Sequence, residues 1–161
     1  MGRISKKTEV SLNVRETFNK FVVEINDWWP SAYTWSQNVQ HEILIDLRKD
    51  GLCSEIGPFG YRCDWGRVTD FEENTYIEMK WQIGPHREPV PNPDKASDLL
   101  IEFSEGDEGT LIVLQHFNFG NHGNGSEDYR NSMDSDQGWL YILDCFKKFC
   151  ERIENPTEVQ E

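Results

Sequence analysis

Near Gly120 the spacing of apolar residues changes from two to three and four, and this switch leaves the chain few architectures. Upstream, between residues 41 and 119, side chains alternate: Ile43, Ile45 and Leu47 stand between polar neighbours, and Ile77, Met79 and Trp81 alternate with Tyr76, Glu78 and Lys80. A period of two puts one side of an extended strand against a core and the other in water. Downstream, Trp139, Ile142, Leu143, Phe146, Phe149, Cys150 and Ile153 recur at helical steps, the apolar stripe of one amphipathic face. A sheet with one apolar face must be covered, and this segment is long and apolar enough to cover it. The expected fold is α+β, a helix grip: a curved antiparallel sheet of about seven strands wrapped around a long C-terminal helix. A single helix is predicted over 130–153.

Turn chemistry divides the alternating region. Asp50-Gly51 marks a hairpin, residues 52–57 a short strand, and Gly57-Pro58-Phe59-Gly60 the next turn. A longer strand follows over 61–71, where Gly66 signals a bulge or a close approach. The last two strands are expected at 98–104 and 110–119. Ahead of the meander, residues 8–13 alternate as a first strand, and Asn13 with Glu16 forms a capping pattern for a helix carrying Phe18, Phe21, Val22 and Ile25 on one face. Pro30 ends that region. Residues 84–97 hold four prolines and read as a long, extended, exposed loop. The polar end of the chain beyond Pro156 is expected to fray.

Composition narrows the function classes. A chain of 161 residues with 37% apolar side chains can build one core without disulfides or metal, so one domain is expected over 1–161, with its core at about 8–153. Cys53, Cys63, Cys145 and Cys150 form no CxxC pair and read as reduced core or strand residues. The 16 basic and 29 acidic residues give a formal net charge of −13, a field that repels nucleic acid and anionic membrane surfaces. The acidic surface is also a candidate contact for a protein partner. Neither a signal segment nor a membrane-length apolar run is present, so a cytoplasmic location is expected. No cofactor or metal is expected.

Four stretches, in order, resemble one superfamily. Ile25 to Pro30 carries IxxWWP at the end of the first helical region. DLRKDG at 46–51 is followed by WGRV at 65–68; IEF and an acidic turn lead into GTLIVLQH, across 101–116; GWLYILDCF spans 138–146. Together they resemble the START-like superfamily of polyketide cyclases and pollen allergens, most closely its branch similar to activators of the heat-shock-chaperone ATPase. The likeness covers about residues 8 to 153. It departs at Val14-Arg15, where members often carry proline, and at the loop 84–97, which is longer than the usual hairpin and lies where it can reshape a pocket mouth. The resemblance implies a helix-grip fold that holds a hydrophobic or amphipathic ligand between sheet and terminal helix.

The candidate cavity-lining residues are Ile43, Ile45, Trp65, Ile77, Met79, Trp81, His116, Trp139, Leu143 and Phe146. Apolar walls supply most of the affinity of such a pocket. For each residue the competing reading is plain core packing. His116, the one histidine inside a strong strand pattern, and Tyr61 are candidate polar contacts at the rim. Arg67 is read either as an inward partner for a ligand carboxylate or as an outer-face ion pair with Asp64 or Asp70. No serine elbow, acid/base pair or phosphate-cradling motif is visible, so no catalytic residue is assigned. Three functions compete: a module binding a small hydrophobic or amphipathic ligand, a protein-interaction module akin to chaperone ATPase activators, and a cyclase- or dehydratase-like enzyme.

Overall fold

The computed structural model describes residues 2–37, 39 and 41–154. The polar tail and the side chain of Ile153, both named above, lie outside the described residues. Seven antiparallel strands form one sheet: β1 (Ile4–Val10), β2 (Glu42–Ile45), β3 (Leu52–Ile56), β4 (Arg62–Glu72), β5 (Tyr76–Trp81), β6 (Ser97–Glu105) and β7 (Thr110–Phe117). Their spatial order is β1-β7-β6-β5-β4-β3-β2, so the chain from β2 to β7 is a continuous meander and β1 adds to its far edge. Helices α1 (Val14–Val22), α2 (Ile25–Trp28), α3 (Ser126–Asp134) and α4 (Trp139–Glu154) lie against the sheet.

The period-two reading holds best in β5, where Ile77, Met79 and Trp81 are buried and their neighbours are half-exposed. Asn13 caps α1: its side chain accepts the Glu16 N–H at 2.8 Å, while its own amide donates to the Glu16 carboxylate at 3.1 Å. Phe18, Phe21 and Val22 of α1 and Ile25 of α2 all enter the core.

Three expectations need correction. The first strand lies at Ile4–Val10 rather than at 8–13, pairing with β7 from Ile4↔His116 to Val10↔Thr110. Lys6 and Lys7 masked it, because an edge strand carries charges that a purely apolar pattern does not include. The terminal helix is two helices rather than one over 130–153. Ser135 is extended at ψ 173, and a Cβ on Gly138 would sit 2.1 Å from the Met133 carbonyl oxygen, so the chain turns there in a space only glycine fits. The 84–97 segment is not uniformly extended. Gly84 N–H bonds to the Glu88 carbonyl at 2.7 Å, Val90 N–H to the Gln82 carbonyl at 2.9 Å, and Pro93–Lys95 forms a 3-10 turn.

Gly66 does sit at an irregularity. Cys53 pairs with Gly66 but Ser54 pairs with Asp64, so Trp65 is the extra residue of a bulge. A Cβ on Gly66 would meet the Lys80 carbonyl oxygen at 2.8 Å. The bulge and the small residue beside it let the Trp65 ring into the concave side of the sheet, where it is buried.

Candidate functional site

The concave space between sheet and helices is filled by aromatic rings. Trp29 stacks on Trp65 with centroids 5.4 Å apart; Trp65 meets Trp81 at 6.0 Å, and Trp81 meets Trp139 at 5.2 Å. Behind them Phe146 contacts the rings of Phe21 and Trp28, each at 4.9 Å. Ile43, Trp65, Ile77, Met79, Trp81, His116, Trp139, Leu143 and Phe146 are all buried in this core, and Ile45 packs on its margin half-exposed. The ten candidates thus come together as neighbours in one packed layer.

His116 sits inside that layer rather than at a rim. The indole Nε1–H of Trp139 donates to His116 Nδ1 at 2.9 Å. An indole nitrogen only donates, so Nδ1 accepts and the ring proton of His116 lies on Nε2. That proton faces Ser97 Oγ at 2.7 Å, and the Ser97 hydroxyl in turn meets His122 Nε2 at 2.8 Å. Burial drives the pKa of His116 well below 6.5, and the neighbouring His122 lowers it further. Burial also lowers His122, against the pull of Glu88. Both rings are therefore neutral links in a Trp–His–Ser–His chain that is buried at Trp139, His116 and Ser97 and half-buried at His122. Tyr61 lies in the β3–β4 turn, partly exposed.

Arg67 makes no ion pair among the described residues, and its Nε is buried without a hydrogen-bond partner there. Asp64 pairs instead with Arg62 at 3.2 Å, and Asp70 accepts from the Tyr76 hydroxyl at 2.9 Å. The expected outer-face pairing of Arg67 is corrected by these competing partners. Burial raises the Cys53 thiol pKa far above its ordinary value, which keeps it protonated. Among the described residues no group of three or more His, Cys, Asp or Glu could hold a metal. None of their helices is long and apolar enough to cross a membrane.

One opening in this fold lies at the end of the aromatic layer. A cleft of about 270 Å³ is walled by Ala32–Trp35, by Ile83–Arg87 of the Pro-rich segment, and by Gly125, Asp128, Tyr129, Ser132 and Met133 at α3. Trp81, only 1% exposed, closes its floor and is the one candidate cavity residue that borders it. Tyr129 is locked in place: its hydroxyl accepts from Trp81 Nε1 at 2.6 Å and donates to the Ile83 carbonyl at 2.7 Å. Burial raises its pKa far above 10. Tyr33 donates its hydroxyl to the Gln137 carbonyl at 2.5 Å, and burial raises it too, with Arg87 pulling the other way.

Two clasps fix the walls. Trp35 Nε1 donates to the Arg87 carbonyl at 2.6 Å, and Arg87 Nη2 returns a bond to the Ala32 carbonyl at 3.2 Å. The buried carboxylate of Glu55 accepts the N–H groups of Trp35 and Ser36 at 2.8 and 2.7 Å. Sequence reading alone passed over Tyr33, Trp35, Tyr129 and Met133. The available signal was the unusual length of the 84–97 loop, whose first turn supplies one wall.

Comparison with known proteins places this geometry. The anthrahydroquino-Gama-pyrone synthase Txn09, solved as a complex with SUM, superposes with a TM-score of 0.63 at 25% identity, over 92% of this chain and 96% of that one. A protein from Cytophaga hutchinsonii superposes with a TM-score of 0.67 at 16% identity, over 96% and 97% of the two chains. One from Nitrosomonas europaea gives 0.63 at 14% identity, over 95% and 96%. No curated protein matches the chain in sequence. Residues 25–151, running from α2 through the meander into α4, match the family described as Activator of Hsp90 ATPase homolog 1-like protein, and the chain, a START-like domain, belongs to that family.

Proposed function

We propose that this domain binds a small aromatic molecule in the cleft between the 31–35 turn, the 83–87 turn and α3. One observation carries the reading: apolar surface from Trp81, Ile83, Pro85, Tyr129 and Met133 converges on an open space from separate elements, while the layer beneath α4 is closed by ring-on-ring packing. Apolar area removed from water is worth roughly 25 cal/mol per Å², so flat rings laid against these walls gain the most. The Tyr129 hydroxyl bridges Trp81 and Ile83, and this makes the floor rigid before any ligand arrives, which limits the entropy lost on binding. The likeness to Txn09, by its name a synthase of an anthrahydroquino-pyrone, supports a fused-ring ligand.

Calorimetric titration with anilinonaphthalene sulfonate tests the assignment. Ser132 is exposed on α3 and lines the cleft, so Ser132→Phe fills it without touching the core. The folded protein is expected to bind the probe saturably at one site, and the variant to bind at least about tenfold more weakly with an unchanged thermal midpoint. Equal affinity in the variant places the ligand elsewhere and sinks the reading.

A further inference from the structure

We infer that the ligand of this cleft is an aromatic hydroxy acid, its carboxylate held by Arg87 and its hydroxyl donating to Asp128; this rests on the cleft being the binding site. The chain carries 16 basic residues against 29 acidic ones, and Arg87 is the arginine that lines the cleft. Lys6, Lys20, Arg48, Arg62, Lys80, Arg130 and Lys148 are each paired with an acid. Arg87 forms no ion pair among the described residues, and Glu88 beside it turns its carboxylate onto the His86 N–H at 2.8 Å. The single bond from Arg87 Nη2 to the Ala32 carbonyl leaves the other guanidinium donors free.

The backbone also holds Arg87 in place. It adopts φ 66, a left-handed conformation costly for a side chain of this kind. The Arg87 N–H bonds to the Gly84 carbonyl at 3.0 Å, and the Arg87 carbonyl is taken by Trp35 Nε1. These bonds enforce the strained turn, which sets the cation on the lip of the cleft. Its charge reaches both tyrosine hydroxyls, favouring their ionised forms against burial. Those hydroxyls are already committed to the Gln137 and Ile83 carbonyls, whereas Arg87 keeps charged donors to offer an anion. A planar carboxylate matches the guanidinium fork in two parallel bonds.

Asp128 borders the same cleft from α3 and makes no ion pair or side-chain hydrogen bond among the described residues. An ionised carboxylate only accepts, so the ligand group that meets it is a donor. Both polar residues share the cleft with the apolar walls. A volume of about 270 Å³ falls just under the ~300–1,000 Å³ of drug-sized pockets and suits one or two fused rings better than a long acyl chain.

Calorimetry with a hydroxynaphthoic acid, its amide and naphthoic acid lacking the hydroxyl separates the parts. The acid is expected to bind about tenfold or more tightly than the amide, the gain from one charge-assisted pair. Arg87→Gln should shrink that preference to about twofold, the ratio of acid to amide cancelling any change in the wall that loses the Ala32 bond, and Arg87→Lys, charged but without the fork, should fall between. Removing the ligand hydroxyl should weaken binding in the native chain and have no effect in Asp128→Ala. Equal binding of acid and amide, or an acid preference that survives Arg87→Gln, overturns the inference and leaves the cleft reading standing. A hydroxyl that adds no affinity overturns the Asp128 contact. Absence of saturable binding by all three compounds overturns the cleft reading and this inference together.

Discussion

Trp139 donates its indole N–H to His116 Nδ1 across 2.9 Å, joining the first residue of α4 to the end of β7 inside the core. Trp139 ends the tight turn at Gly138, so this bond fixes where the covering helix starts relative to the sheet it covers. From there the polar chain continues through Ser97 to His122.

Replacing Trp139 by Phe keeps much of the ring volume and removes the donor. His116 Nδ1 is then a buried acceptor without a partner, which costs about 1–3 kcal/mol in addition to any packing loss. Urea unfolding should show this loss, and nitrogen-detected NMR of the native chain should show the His116 proton on Nε2. A proton found on Nδ1 would contradict the assigned chain.

Stability should fall as the solution is acidified through the histidine range. Both His116 and His122 have folded-state pKa values below the ordinary 6.5, chiefly through burial. Below about pH 6.5 the unfolded chain binds protons that the folded chain refuses, so acid favours unfolding. The full contribution is present above the unfolded value and is lost progressively as pH falls toward the folded ones. Unfolding free energies measured between about pH 7 and pH 5 should decline, and the decline should shrink in a His116→Gln variant. A flat profile in the native chain would mean that His116 is protonated within the fold.

How much of this was legible beforehand differs by element. The meander was plain because β5 and its neighbours obey a strict alternation with one buried face. The break at Gly138 was hidden because the apolar stripe is legible only from Trp139 onward, and a carbonyl approaching one glycine leaves no periodic trace. The candidate cavity residues were found as a group because ring size and strand parity mark the inner face. Whether that face was hollow depended on the Trp29, Trp65, Trp81 and Trp139 rings meeting one another, which is a matter of three-dimensional packing density. The cleft itself is assembled from turns at 31–35 and 83–87 that are distant in sequence, so no local pattern announces it.

Phe146→Ala should cost about 3–5 kcal/mol, the usual loss for a buried aromatic ring and its cavity. Phe146 is 0% exposed and its ring sits 4.9 Å from both Phe21 and Trp28, so it links α4 to the first two helices. A denaturant titration is the check. A change below about 1 kcal/mol would mean that α1 and α2 close over the gap, contrary to the packing constraint that the crowded layer imposes.

Glu55→Gln should loosen the cleft wall more than it lowers global stability. Glu55 is 1% exposed on β3, and its two oxygens separately accept the N–H groups of Trp35 and Ser36. A glutamine offers one oxygen and places an NH2 group where the second must accept, so one buried backbone donor loses its partner. Such a loss costs about 1–3 kcal/mol, and here it falls on the segment that holds Arg87 through Trp35 Nε1. Hydrogen exchange at the Trp35 and Ser36 amides should therefore accelerate well beyond that at β5 and β6, whose ladder bonds are untouched. Affinity for the hydroxynaphthoic acid should fall in the same variant, because the Arg87 carbonyl has lost its rigid partner. Unchanged protection at both amides would show that the turn is held by the Arg87 clasp alone, and Glu55 would then have no part in shaping the cleft.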